Sequence, residues 1–221
     1  VEEVGKNMYI VEDRNNIFIF DTGLMLPEDE MFGVDAVIPD ITYLIENRER
    51  VRGIFLSHGH VDHIGALAYV LKKINVPVYG TRLTLGLAEE LLKGAHTSKK
   101  YKFKTVDSTS TVTIDQTTFT FFKVNHSIPD AIGIAIHTSQ GIIVYTGDFK
   151  FDQTPINNDH TEIGKIVKLR QQGVICLLSD SMNAESPGTT PSESTVGHQI
   201  FEVISNAKGR IITATFAMNI H

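Results

Sequence analysis

The stretch His58-Gly59-His60-Val61-Asp62-His63 packs four metal-capable side chains into six residues, directly after the apolar run Gly53-Ile54-Phe55-Leu56. That run reads as a short buried strand. A loop leaving a strand end lets alternate residues point to one side, so His58 and His60 can converge on one ion. Asp62 and His63 fall at the entry to the next helix and can face a second. Imidazole nitrogens suit Zn²⁺ and similar borderline ions, and a carboxylate suits a site that must also hold water. A histidine-rich surface loop that binds nothing is the bland alternative, but such a loop has no need of this ligand density. His126, in Val124-Asn125-His126-Ser127, and Asp148, in Tyr145-Thr146-Gly147-Asp148-Phe149, also sit where a strand hands over to a loop. Taken singly, the first reads as a hydrogen-bonded histidine and the second as a turn residue. Their shared position makes both candidate ligands. The set contains no thiolate, which permits either Zn²⁺ or Mn²⁺.

The elements that must carry these residues follow from periodicity and punctuation. Residues 7–10 and 17–20 read as strands joined by the turn Asp13-Arg14-Asn15-Asn16, and residues 27–35 as a loop. Residues 41–47 form a short helix. A helix over 65–74 places Leu67, Val70, Leu71 and Ile74 on one face, and another runs from Thr81 to Leu92, before Gly94. Val76-Pro77-Val78-Tyr79 is a strand between them. Residues 101–106, 111–114, 117–124, 132–137 and 142–146 are further strands. A helix over 159–171, a buried strand over 173–178, a helix over 190–206 and a strand over 209–216 complete the pattern. Strands and helices are intermixed, with antiparallel-looking hairpins. The pattern predicts two sheets with helices outside, an α/β sandwich, rather than a regular alternation of parallel strands and helices.

The bulk properties set bounds. The chain has 221 residues, of which 42% are hydrophobic, enough for one full core with the start of a second and too many for disorder. A formal net charge of -6 counts mildly against a nucleic-acid binder, without excluding a basic groove on an acidic body. Cys176 is the only cysteine. It lies in an apolar run and reads as a buried thiol, and the lack of a pairing partner suits a reducing cytoplasm. No segment approaches the length of a membrane span and no secretory signal is visible. Both ends look cut: the chain opens mid-pattern at Val1 and stops at His221 after a strand-like run.

The first motif resembles the signature of the metallo-β-lactamase superfamily, with Asp21 of Asp21-Thr22-Gly23 matching its first, structural aspartate. A narrower set resembles ribonuclease J, a β-CASP family of that superfamily: Gly5-Lys6-Asn7-Met8, Pro27-Glu28-Asp29-Glu30-Met31, Val37-Ile38-Pro39-Asp40, Gly147-Asp148-Phe149-Lys150-Phe151-Asp152, Ser179-Asp180-Ser181 with Asn183-Ala184-Glu185, and Ala214-Thr215-Phe216 with Asn219-Ile220-His221. The resemblance runs over essentially the whole chain. It implies an αββα sandwich with the start of a β-CASP domain at the C-terminal end: residues 1–190 catalytic, residues 191–221 the beginning of the insert. It implies two divalent ions, Zn²⁺ or Mn²⁺. His58, His60 and His126 would bind the first, Asp62 and His63 the second, and Asp148 both, with one further histidine supplied from a distant segment. Val61, Met182 and Met218 depart from the residues the family usually carries there (Glu, Thr and Ser).

The activity so implied is metal-dependent RNA cleavage, 5′-to-3′ exonucleolytic and also endonucleolytic, in bacterial RNA processing and mRNA decay. Asp62 and Asp148 are the catalytic candidates. Asp62 is placed to orient an acidified water or take its proton. Ser181 and Asn183, with Ser179, are candidate phosphate donors, and equally a turn and helix cap. Ala217, Met218, Asn219 and His221 are candidate RNA contacts. Lys99, Lys100, Lys102 and Lys104 read as a solvated strand face, with an RNA path as the alternative. The implied partners are RNA and a homodimer, a homotetramer or a paralogous subunit. Two competing readings stay open: a weakly active or inactive paralogue serving as partner subunit, and another hydrolase of the same fold, such as a thioesterase or lactonase.

Overall fold

A computed structural model describes residues 5–28, 30–95, 100–156 and 159–215. Ten strands form two sheets. The first is β1 (Tyr9–Asp13), β2 (Asn16–Phe20), β3 (Val51–Phe55), β4 (Val78–Gly80) and β5 (Phe103–Thr105), neighbouring in that order. The second runs β10 (Val174–Leu178), β9 (Ile142–Tyr145), β8 (Ile132–His137), β7 (Thr117–Lys123) and β6 (Thr111–Ile114). The hairpin β1–β2 is antiparallel, and β3, β4 and β5 add in parallel; the second sheet is antiparallel except where β10 joins β9. The helices are α1 (Thr42–Glu46), α2 (Val61–Ile64), α3 (Leu67–Lys73), α4 (Arg82–Gly94), α5 (Ile163–Gln171) and α6 (Glu193–Asn206).

Strand alternation builds the layers. In β2, Ile17 and Ile19 pack with Leu67, Val70 and Leu71 of α3 and Leu85 and Ala88 of α4, while Phe18 and Phe20 face the second sheet. In β7, Phe119 and Phe121 meet them across the interface, while Phe122 turns outward to Leu169 of α5. The order is therefore helix, sheet, sheet, helix, the sandwich the sequence predicts. Phe55, the last residue of β3, is the centre of the inter-sheet aromatic stack: its ring lies 4.2 Å from Phe119, 4.7 Å from Tyr79 and 5.5 Å from Phe20. The residues that follow it, Leu56, Ser57 and His58, thus leave a strand anchored on both faces. Gly133 leaves room for the ring of Phe122, its partner across β7 and β8; a Cβ there would lie 2.2 Å from the ring.

Four expectations differ from what forms. The helix over 65–74 runs only from Leu67 to Lys73, with α2 a separate turn ahead of it, because Ala66 N turns aside to donate to Thr22 O and Gly65 packs against Leu24. The helix over 159–171 starts only at Ile163, since Asp159 and Thr161 are taken up by Lys123 and Asn125. The strand over 173–178 is an edge strand and not buried, with Ile175 56% and Leu177 61% exposed, and Cys176 is exposed with it. An apolar run cannot tell a central strand from an edge strand. The strand over 209–216 does not form: 210–215 carry no regular structure, and Phe216 lies outside the described residues. No helix among the described residues is long and apolar enough to cross a membrane.

Candidate metal centre

The ligand motif leaves β3 into a closely fitted place. Ser57 and His58 are buried, and α2 follows immediately. A four-residue helix is too short to stand on its own turn energy. Here its carbonyls are clasped from outside: Asn7 N donates to Asp62 O at 3.0 Å, Thr22 N to His63 O at 2.7 Å and Leu24 N to Val61 O at 3.2 Å.

Asp21, fully buried and held at φ 59°, organises what lies beneath. Its Oδ1 accepts Ser57 N–H at 2.7 Å. Its Oδ2 accepts Ser57 Oγ–H at 2.7 Å, Tyr145 O–H at 2.5 Å and His63 Nδ1–H at 2.7 Å. With its proton directed to Asp21, the Ser57 oxygen accepts from His58 Nδ1–H at 3.0 Å. A carboxylate can only accept, so both tautomers follow from it. His58 and His63 each present Nε2 to the centre. Asp21 is thus the carboxylate behind the imidazoles that commonly orients metal-binding histidines.

Two groups of ligand atoms result, His58–His60–His126 and His58–His63–Asp148, with each group's atoms within 4.8 Å of one another. In the first, His60 Nδ1 lies 3.1 Å from both His58 Nε2 and His126 Nε2. Nitrogens held about 2.0 Å from one tetrahedral ion sit roughly 3.3 Å apart, so the trio fits a zinc-like cation closely. Asp148 spans the two groups: Oδ1 is 3.3 Å from His63 Nε2 and Oδ2 is 3.7 Å from His126 Nε2. It is placed by Gly147, at φ 57°, where a Cβ would meet Ser57 Cβ at 2.7 Å. A single bridge between Asn125 and Lys150 ties the His126 and Asp148 loops together. Asp62 belongs to neither tight group. It sits half-buried beside them, Oδ2 3.6 Å from His63 Nε2.

The electrostatics favour cation binding. Burial, reinforced by the neighbouring imidazoles of His63, His126 and His60, pushes His58 well below its ordinary pKa, so it stays a neutral donor. Burial likewise brings His126 down to about 4 against the pull of Asp148. His63 goes the other way. Burial opposes its charge, but Asp21 and Asp148 outweigh that and raise it to about 10: positive charge is favoured between these carboxylates. Burial of Asp148 is likewise outweighed by the bond and charge of His63, and its pKa is lowered.

A cleft of about 930 Å³ opens beside the centre, lined by Lys6, Asn7, Asp62, Tyr145 and Asp148 together with residues 177–186. Ser181 and Asn183 stand exposed in its lining, in turns closed by Ala184 N to Ser181 O at 3.0 Å and Ser186 N to Asn183 O at 2.9 Å. No helix follows them there, so the turn half of the alternative is what forms. Ala217, Met218, Asn219, His221 and Lys99 lie outside the described residues. Lys100, Lys102 and Lys104 are exposed at the β5 edge, away from the cleft walls. Sequence reasoning did not single out Asn7, Ser57 or Tyr145. Their types carry no metal signal, and only the fold brings them to the centre.

The metallo-beta-lactamase superfamily profile matches residues 1–185. Ribonuclease J2 of Bacillus subtilis (strain 168) is 51% identical over 221 residues, 100% of this chain and 40% of that protein. Ribonuclease J 2 of Staphylococcus epidermidis is 47% identical over 219 residues, 99% of this chain and 39% of that protein. The chain therefore spans about 40% of the length of these relatives. Among solved structures, a HARLDQ-motif mutant metallo-beta-lactamase from Cronobacter sakazakii superposes with a TM-score of 0.54 at 14% identity, covering 93% of this chain and 94% of that one; it shares the fold.

Proposed function

Because this chain belongs to the metallo-β-lactamase superfamily, we propose that it is most of the nuclease half of a ribonuclease J-type enzyme, a metal-dependent phosphodiesterase acting on RNA. The observation that carries the reading is the pair of ligand groups joined by His58 and Asp148, in a chain 51% identical throughout to a protein named a ribonuclease. Residues 1–190 are the catalytic unit and 191–221 the start of an inserted β-CASP domain. Cleavage is 5′-to-3′ exonucleolytic, with endonucleolytic cutting as a second mode, in the cytoplasm. The assembly is a homodimer, a homotetramer or a complex with a paralogous subunit.

His58, His60 and His126 would hold one divalent ion, Zn²⁺ or Mn²⁺, and His63, Asp148 and Asp62 a second. Bound there, such a pair supplies Lewis acidity toward a phosphodiester and an acidified water. The protein's own part is orientation. Asp21 fixes the ring tautomers, Gly147 sets Asp148 across both groups, and the cleft leads a strand of RNA over them. Asp62, half-buried at the cleft wall, is free of the tight groups and so placed to orient the attacking water and accept its proton. Ser181 and Asn183 line the same cleft and would serve as donors to phosphate oxygens.

His60→Ala is expected to abolish metal-dependent cleavage of a 5′-monophosphorylated RNA while leaving the circular dichroism spectrum intact; full activity would sink the reading. A second reading, a weakly active partner subunit, rests on Val61, Met182 and Met218, which depart from the residues the ribonuclease J family usually carries there. Metal content and 5′-to-3′ degradation, measured with and without the paralogue, separate the two.

A further inference from the structure

Asn7 carries no charge and belongs to no expected ligand set, yet its side chain touches both Asp62 and His63. Its Nδ2 lies 3.0 Å from His63 Nε2 and 3.4 Å from Asp62 Oδ2. The main chain behind it is fixed from two sides, Asn7 N donating to Asp62 O at 3.0 Å and Asn7 O accepting from Gly23 N at 2.8 Å. Gly23 is required for this contact: a Cβ there would sit 1.5 Å from Asp62 O and 2.6 Å from Asn7 N. Three chain segments therefore meet backbone to backbone, and the half-buried Asn7 side chain has few directions open to it. It lines the cleft wall that also carries Asp62 and Asp148.

A primary amide suits this place on chemical grounds. It holds a carboxylate by N–H and keeps a carbonyl oxygen that tolerates a neighbouring cation. An aspartate would repel Asp62 and Asp148, and an aliphatic residue would offer Asp62 nothing. The His63 ring is already tied at Nδ1 to Asp21, at 2.7 Å. Asn7 acts at the opposite nitrogen, where Asp62 and Asp148 also converge. We propose that Asn7 is a positioning residue for one half of the centre: its amide holds the Asp62 carboxylate beside His63 Nε2, so that both meet the cation shared with Asp148. The His58–His60–His126 group stands without it. This role rests on the two-ion reading given above.

The test is calorimetric titration of the metal-stripped full-length enzyme, of which this chain is proposed to be a part, with Mn²⁺ and, separately, Zn²⁺, for wild type, Asn7→Ala and Asn7→Ser. Wild type is expected to show two binding events. Both variants should weaken one event by about 10- to 100-fold, the scale on which residues behind metal ligands act, and leave the other unchanged. His126→Ala should do the reverse and weaken the event the Asn7 variants spare. Two wild-type-like events in both Asn7 variants overturn the role, as does an equal weakening of the two events in a folded variant. A full-length wild type that binds one ion or none overturns the two-ion reading itself, and the Asn7 role falls with it.

Discussion

Asp21 is the residue on which the centre turns. Four donors reach its carboxylate, Ser57 N–H, Ser57 Oγ–H, Tyr145 O–H and His63 Nδ1–H, and two imidazole tautomers depend on it. Asparagine has nearly the same shape but offers one acceptor oxygen and an NH₂ group. At Asp21→Asn, that NH₂ would face either Ser57 N–H or the converging hydroxyls and His63. Leaving a buried donor against a donor costs about 1–3 kcal/mol for each group affected. We expect Asp21→Asn to lower stability by about 3 kcal/mol in urea denaturation and to weaken divalent-ion affinity about 10- to 100-fold. Wild-type affinity in a folded variant would show that the histidines orient themselves. At this scale the sequence was informative about candidate ligands and silent about their supports. His58, His60, His63, His126 and Asp148 are chemically conspicuous residues at strand ends, and the fold gathers them. Asn7, Ser57 and Tyr145 are ordinary residues whose roles arise from contacts 50 or more positions away in the cases of Asn7 with His63 and Tyr145 with Asp21.

Asp13 shows how the elements are joined. It ends β1 in the first sheet, buried, and takes its partners from the second: Thr117 Oγ1 donates at 2.6 Å and Ser139 Oγ at 2.7 Å. Burial works against its charge, but these bonds and Arg14 outweigh it, and its pKa is lowered. A carboxyl with a folded pKa below its unfolded value binds protons more readily when unfolded. Its stabilisation is therefore present above the unfolded pKa, about 3.9, and is lost as pH falls through the folded value. Asp13→Asn should accordingly cost stability near neutral pH, with the difference from wild type shrinking below about pH 4. A difference that stays constant from pH 7 to pH 3 would mean the charge is immaterial. Phe55→Ala addresses the same joint from the apolar side. It removes the centre of the aromatic stack, and the cost should be about 3–5 kcal/mol by urea denaturation. Periodicity made β2, β7 and β8 readable because one face of each meets a sheet and the other a helix layer. It misjudged β10, whose run Val174-Ile175-Cys176-Leu177-Leu178 looks central and lies at an edge. The separate turn α2 ahead of α3 was equally hidden, since it is held by Asn7, Thr22 and Leu24 from distant segments.

Across the whole molecule, α6 stands apart from the sandwich. It has no buried residue, and Ile200, Phe201 and Val203 are 54%, 70% and 72% exposed. Among the described residues, polar contacts attach it at its first turn. Asp152 accepts from Glu193 N at 3.0 Å and from Thr154 N at 2.9 Å, Ser192 Oγ donates to Thr154 O at 2.8 Å, and Lys150 reaches Glu193 at 2.5 Å. This cluster follows Asp148 by two to six residues, so the loop carrying the shared ligand is also the anchor of the helix that opens the proposed second unit. Apolar burial does not bind α6 to the sandwich, and its protection from exchange should rest on that cluster. In Asp152→Ala, hydrogen exchange of the amides over 193–206 should quicken, since the helix loses an acceptor at its first turn. Exchange in β2, β3 and β7, locked inside the sandwich, should not change. If the Asp148 loop is held in turn by α6, the same variant will also weaken divalent-ion binding by the His58–His63–Asp148 group. Unchanged exchange over 193–206 would show that α6 is secured by something other than these polar contacts.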